Sequence, residues 1–94
     1  MRAERPIIRK HVSVDDLLAG LAEEAAELAQ AALKLRRCYV GTNPTPMDSE
    51  EAYDNLMEEI ADVKLYLKML DINQHVVNNF MNAKGARWVK RLEG

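Results

Sequence analysis

The apolar residues of this chain recur at the spacing of an α-helix over two long stretches, which a segment rich in Gly and Pro separates. In the first stretch they follow one another every three or four residues from Val14 to Leu35. Ser13 precedes them and is a favourable N-cap residue. This pattern predicts a long helix over about residues 14–39. The segment Gly-Thr-Asn-Pro-Thr-Pro at 41–46 then breaks the helix.

Two further helices are predicted after the break, over about residues 49–70 and about residues 74–92. Residues 1–12 follow no clear period and are expected to form an N-terminal arm. The predicted fold is therefore all-α: a helical bundle with about three main helices, forming a single domain over residues 1–94.

Composition argues against several classes of partner. A net charge of -2 offers no basic excess to attract a nucleic acid polymer, and no apolar run is long enough to span a membrane. Cys38 is the only cysteine, so an internal disulfide is excluded and a small buried hydrophobe is expected there. Because residues 1–6 lack the pattern of a secretion signal, a cytoplasmic protein is expected.

Two acidic pairs lie on the first two predicted helices. Glu24 and Glu27 form the first pair, and Glu59 and Asp62 form the second. Within each pair, the i, i+3 spacing places both side chains on one side of the helix. At 100° per residue, Glu24 and Glu59 lie at the margins of their apolar stripes. Two helices packed through these stripes would bring the acidic flanks toward one cleft.

Four carboxylates in one cleft repel one another, and a bound cation relieves that repulsion. Ligands that are all oxygen favour Mg²⁺, with Mn²⁺ as a substitute, over zinc. The chain has no Cys/His cluster for zinc and lacks the Glu-x-x-His element of di-iron bundles. The alternative interpretation is a solvated acidic surface, since Glu favours helices. The duplication of the pair on two helices supports the metal hypothesis.

The order of these residues resembles the signature of the MazG-like, all-α nucleoside triphosphate pyrophosphohydrolases. The motif Glu23-Glu24-x-x-Glu27, followed by Glu59-x-x-Asp62, carries a resemblance that extends from about Leu17 to Leu92. The resemblance also includes other elements: Ala31-x-x-Lys34, Asn55, Tyr66 and Lys84-x-x-Arg87-Trp88.

The resemblance implies a reaction and a site. Members of this family cut a nucleoside triphosphate between its α and β phosphates, giving monophosphate and pyrophosphate, which suits housecleaning of the nucleotide pool. Carried over to this chain, the metal ligands are Glu24, Glu27, Glu59 and Asp62. The implied cofactor is Mg²⁺, which offsets the charge of the phosphates. Glu24 or Glu27 is the expected catalytic residue, which orients the attacking water.

The implied substrate-binding side chains are Lys84, Arg87, Lys34, Asn55 and Tyr66. Lys84 and Arg87 are expected to hold phosphates, although cations near a helix C-terminus also offset the helix dipole. Asn55 either contacts the nucleotide or forms a local hydrogen bond. Tyr66 either hydrogen-bonds a phosphate or sugar or packs beside the site.

A homodimer or homotetramer is also implied, because three helices leave half a bundle exposed and family members commonly complete the site across subunits. The loop Asn43-Pro44-Thr45-Pro46 lengthens the stretch between the motifs, as a simple connection or as a lid over the base. Two alternatives stay open. One is phosphoribosyl-ATP pyrophosphohydrolase, whose second motif is expected to continue with an aromatic-His pair that is absent after Asp62. The other is a non-enzymatic helical assembly module.

Overall fold

The computed structural model describes residues 3–41 and 48–94, and every regular element in these ranges is a helix. The helices are α1 (Glu4–His11), α2 (Val14–Val40), α3 (Ser49–Met69) and α4 (Gln74–Glu93). The predicted all-α class and the three long helices are confirmed. The loop Asn43-Pro44-Thr45-Pro46 lies outside the described residues. None of the described helices is long and apolar enough to cross a bilayer.

Polar side chains and one glycine define the ends of the long helices. The Oγ atom of Ser13 accepts a hydrogen bond from the Asp16 backbone N–H at 3.1 Å, which confirms Ser13 as the N-cap of α2. Asp48 and Asn73 cap α3 and α4 in the same way. Gly41 ends α2 with a φ of 70°, a left-handed conformation that glycine adopts without strain.

α1 adds a fourth, short helix in the stretch expected to form an N-terminal arm. Pro6 is compatible with this helix because it lies in the first turn, where a backbone N–H has no intrahelical acceptor. Arg9 Nη1 donates a hydrogen bond to the Met69 carbonyl at 2.8 Å, and Arg5 forms an ion pair with Asp71 at 2.7 Å. The two arginines tie α1 to the C-terminal end of α3, where positive charge is favourable.

α2 and α3 pack as an antiparallel pair through small residues. The most deeply buried apolar side chains of the described residues lie on these two helices: Leu17, Ala31, Leu35, Ala52 and Met69. Gly20 is also buried, and a Cβ atom at this position would lie 2.3 Å from the ring of Tyr66. Because Gly20 has no side chain, the Tyr66 ring packs directly against the α2 backbone.

The contact between the two helices includes part of each apolar stripe, as the sequence pattern predicted, but it is displaced from the stripe centres toward one flank. Residues at the stripe centres stay half-buried or exposed: Leu21, Ala25, Leu28, Leu56, Ile60 and Val63. Leu17 and Leu35 of the α2 stripe are buried, together with Gly20 and Ala31 on its flank, and α3 contributes Ala52 and Tyr66. Each helix is therefore rotated about its own axis, so that its stripe centre points away from the contact. Because the pair is antiparallel, both stripe centres face the same side of the pair and form a partly open apolar surface.

α4 is the least embedded of the long helices. No Cα atom of α4 lies within 8 Å of a Cα atom in another helix, and none of its residues is buried. Phe80 and Trp88 are each 62% exposed. The Cα radius of gyration is 16.9 Å. A compact domain of this length has a radius of about 12 Å. A single chain therefore does not complete a compact bundle.

Gly20→Ala and Gly85→Ala add the same methyl group at two helical glycines with different surroundings. At Gly85 no atom apart from the local backbone lies within 4 Å of the added Cβ. Only helix propensity changes there, so the variant should gain about 0.5–1 kcal/mol. At Gly20 the methyl group displaces the Tyr66 ring, and overpacking of this kind costs about 1–3 kcal/mol.

Urea unfolding should therefore place the free energy of unfolding of Gly20→Ala at least about 1 kcal/mol below that of Gly85→Ala. Equal stability of the two variants would show that Tyr66 does not pack on Gly20 in solution.

Candidate metal centre

A group of carboxylates lies between α2 and α3, near the middle of the helix pair. One oxygen atom from each of Glu24, Glu27 and Glu59 lies within 4.8 Å of the other two. The i, i+3 spacing sets the two glutamates of α2 side by side, and the packing of the pair places Glu59 opposite them. The two acidic flanks predicted from the sequence therefore meet at one place.

Asp62 lies beside this triad. Burial raises the pKa of Glu24 above its ordinary value, and the negative charges of Asp62 and Glu27 raise it further. Burial likewise raises the pKa of Glu59, and Glu27 and Asp62 add to that shift. Asp62 is thus close enough to act on both glutamates, and the structure brings together the four residues predicted as metal ligands.

Two oxygen atoms of the cluster lack hydrogen-bond donors. Oε2 of Glu24 and Oε2 of Glu59 are shielded from solvent, and no donor among the described residues reaches them. Such a position is unfavourable for a carboxylate, because burial removes water without supplying a replacement. The packing explains it: the flanks, rather than the stripe centres, form the helix contact, so both glutamates lie within the contact.

The donor set and its surroundings fit a divalent cation. Carboxylate oxygens are the ligands that Mg²⁺ and Mn²⁺ prefer, and a cation offsets the repulsion between the four charges. No His or Cys joins this group among the described residues. Glu27 and Asp62 are exposed, which also agrees with the alternative of a solvated acidic surface. The shielded oxygens of Glu24 and Glu59 are the feature that this alternative leaves unexplained.

Three further residues predicted to bind substrate lie on the two helices that carry the acidic pairs. Tyr66, one turn after the second pair, packs against Gly20, which supports the packing role of its ring. Asn55, one turn before that pair, is half-buried on the same flank of α3. Lys34, about two turns after the first pair, is half-buried on α2.

The expected phosphate-binding cations of α4 stand apart from the carboxylates of the same chain. Lys84 and Arg87 lie on a helix whose Cα atoms stay more than 8 Å from those of α2 and α3. Both are exposed, and together with Trp88 they border a shallow depression on α4. The structure therefore brings the acidic residues of the predicted site together and leaves the two cations of α4 apart from them within the described chain.

No protein-family model, curated protein or solved structure matches this chain. The resemblance to the MazG-like family therefore rests on the residues of the two motifs and on their order along the sequence.

In the absence of divalent cations, Glu59→Gln should stabilise the protein more at about pH 7.5 than at about pH 5. The pKa of Glu59 is higher in the folded protein than in the unfolded chain. At a pH between the folded-state and unfolded-state pKa values, the folded protein binds more protons than the unfolded chain. The free energy of unfolding of the wild type therefore falls as the pH rises between these two pKa values. The neutral amide avoids that loss.

Glu58→Gln is the matched control, because Glu58 is an exposed neighbour outside the cluster. Its thermal unfolding temperature should stay close to that of the wild type at both pH values. A stability gap between Glu59→Gln and the wild type that does not change with pH would contradict the raised pKa.

Proposed function

We propose that this protein is a Mg²⁺-dependent nucleotide pyrophosphohydrolase that cleaves a nucleoside triphosphate between its α and β phosphates, releasing monophosphate and pyrophosphate. The observation that carries the proposal is the cluster of Glu24, Glu27 and Glu59, with two shielded oxygens that have no donor. The two motifs that resemble the MazG-like family support the choice of substrate and bond. An enzyme of this kind serves housecleaning of the nucleotide pool.

In this proposal the four carboxylates bind the metal ion, and one of them also orients the attacking water. Glu24, Glu27, Glu59 and Asp62 hold Mg²⁺, or Mn²⁺ in its place, and the bound cation offsets the negative charge of the phosphates. Glu27 is exposed on the open side of the cluster, so its carboxylate can orient the attacking water and accept its proton. Glu24 is the other candidate for this catalytic role, because its carboxylate lies beside that of Glu27 in the same cluster.

Pyrophosphate release with Mg²⁺ and a panel of canonical and modified triphosphates tests this activity. Glu24→Ala and Asp62→Ala should each lower turnover by more than about a hundredfold, because a lost metal ligand removes several kcal/mol of charge stabilisation. Glu58→Ala removes an adjacent exposed carboxylate and should keep wild-type turnover. Circular dichroism should show that all three variants keep their helices.

The other outcomes discriminate between functions. Turnover of phosphoribosyl-ATP, without turnover of ordinary triphosphates, would favour a phosphoribosyl-ATP pyrophosphohydrolase. No turnover of any triphosphate, even at high protein concentration, would exclude the proposed activity. If calorimetry also shows no binding of Mg²⁺ or Mn²⁺, with or without nucleotide, the non-enzymatic assembly module is the better description.

We also propose that the active form is a homodimer or homotetramer in which α4 of one subunit packs on the α2–α3 pair of another. α4 exposes Phe80 and Trp88 on the same face as Lys84 and Arg87, and the pair exposes Glu27 and Asp62. α4 carries four Lys or Arg side chains and one Glu, whereas α3 carries six acidic side chains and two Lys. The charges of α4 and of the pair in a second copy are thus complementary.

This arrangement supplies the missing cations to the site. Lys84 and Arg87 of one subunit would approach the carboxylate cluster of its partner and hold phosphates by charge-assisted hydrogen bonds. Lys34, Asn55 and Tyr66, which lie on the two helices that carry the cluster, are proposed to complete the contacts with the nucleotide.

Mixing two inactive variants tests whether subunits share a site. Glu59→Gln lacks a metal ligand, and Arg87→Glu lacks a phosphate-binding cation. In a mixed dimer with shared sites, one site combines the two intact halves, so the mixture should regain about a quarter of the wild-type turnover. A mixture that stays inactive, although light scattering shows that the subunits exchange, would place each site within one chain.

A further inference from the structure

A cleft of about 620 Å³ lies at the base of α4, on a different side of α3 from the carboxylate cluster. Its wall along α3 and the turn that follows consists of residues at helical spacing: Lys64, Leu67, Lys68 and Asp71. α1 contributes Arg5, and α4 contributes Gln74 and Val77. At 100° per residue, Lys64 lies about 140° around α3 from Glu59, so the cleft is separate from the candidate metal centre.

Three cations and one carboxylate border this cleft. Arg5 pairs with Asp71 at 2.7 Å, whereas neither Lys64 nor Lys68 pairs with an acidic group among the described residues. The Nε atom of Arg5 is shielded from solvent and has no acceptor in the described part of the chain. The i, i+4 spacing of Lys64 and Lys68 sets two like charges side by side, and a bound anion would relieve their repulsion.

Apolar side chains from three segments also line the cleft: Leu67 of α3, Ile72 of the turn and Val77 of α4. Small-molecule sites have volumes of about 300–1,000 Å³ and combine apolar walls with a few polar groups that orient the ligand. The volume of this cleft lies within that range. An inorganic anion would leave the apolar walls without a partner, and a neutral apolar molecule would leave the lysines without one.

We propose that this cleft binds a small organic anion that has an apolar body, with its anionic group on Lys64 and Lys68 beside Arg5. The ligand would touch α1, α3 and the first turns of α4 together. It would thereby set the direction in which α4 leaves α3, since no Cα atom of α4 lies within 8 Å of a Cα atom in another described helix. Binding of this anion does not depend on the proposed enzymatic activity.

Fluorescence titration with anilinonaphthalene sulfonate, an anion with an aromatic body, tests this site. The wild type should bind the probe saturably. Lys64→Glu/Lys68→Glu should raise its dissociation constant by about tenfold, because two attractive charges become repulsive. Arg36→Glu/Arg37→Glu makes the same change in net charge near the C-terminal end of α2, away from the cleft. It is the matched control and should change the constant by less than about twofold, because salt screens distant charges.

The apolar part of the ligand is tested by competition and by one further variant. Decanoate should displace the probe, whereas inorganic phosphate at the same concentration should not, because phosphate has no apolar body to bury. Ile72→Asn should weaken binding of the probe while circular dichroism shows unchanged helix content, since Ile72 is exposed in the turn between α3 and α4.

Three results would overturn the proposal. Equal weakening in the two double variants would mean that the probe responds to net charge alone. Unchanged binding in Lys64→Glu/Lys68→Glu would place the probe elsewhere, such as on the exposed apolar face of α4. Displacement by phosphate as effective as that by decanoate would exclude a ligand with an apolar body.

Discussion

The repulsion among carboxylates held at the α2–α3 contact is the constraint on which the rest of this structure depends. Gly20 and Ala31 let the helices approach closely, and the same approach takes Oε2 of Glu24 and of Glu59 out of water without supplying donors. Packing and electrostatics therefore oppose each other at one place. A cation bound there would turn repulsion into attraction, so the stability of the helix contact and the occupancy of the site are linked.

Packing through the flanks also determines what the chain leaves open. The stripe centres of α2 and α3 stay on one side of the pair, while α4 extends away with Phe80 and Trp88 exposed. Small domains gain stability by burying such surfaces against one another. The same rotation that shields Oε2 of Glu24 and of Glu59 leaves Glu27 and Asp62 exposed on the side proposed to receive the cations of a second copy, so the candidate metal site and its proposed completion depend on the same packing.

Local features of the fold could be predicted residue by residue. Ser13 as the N-cap and Gly41 as the end of α2 involve interactions within one helical turn, so they depend only on residues that are close in the sequence. The tie between Arg9 and the Met69 carbonyl could not be predicted, because it joins residues 60 positions apart. The cleft beside Lys64 was missed for the same reason: the pair Lys64 and Lys68 is visible in the sequence, but Arg5 reaches it only in the fold.

By itself, the sequence determined that the chain is helical, where its long helices begin and end, and that two acidic pairs face the same flank of their helices. Periodicity and capping act over a few residues, which is why these conclusions needed no tertiary contacts. Only the tertiary structure decided that the flanks rather than the stripe centres meet, and that α4 stands apart from the carboxylates. The rotation of α2 against α3 depends on how closely the two backbones approach, as they do where the Tyr66 ring packs on Gly20. The spacing of apolar residues along one helix does not determine this distance.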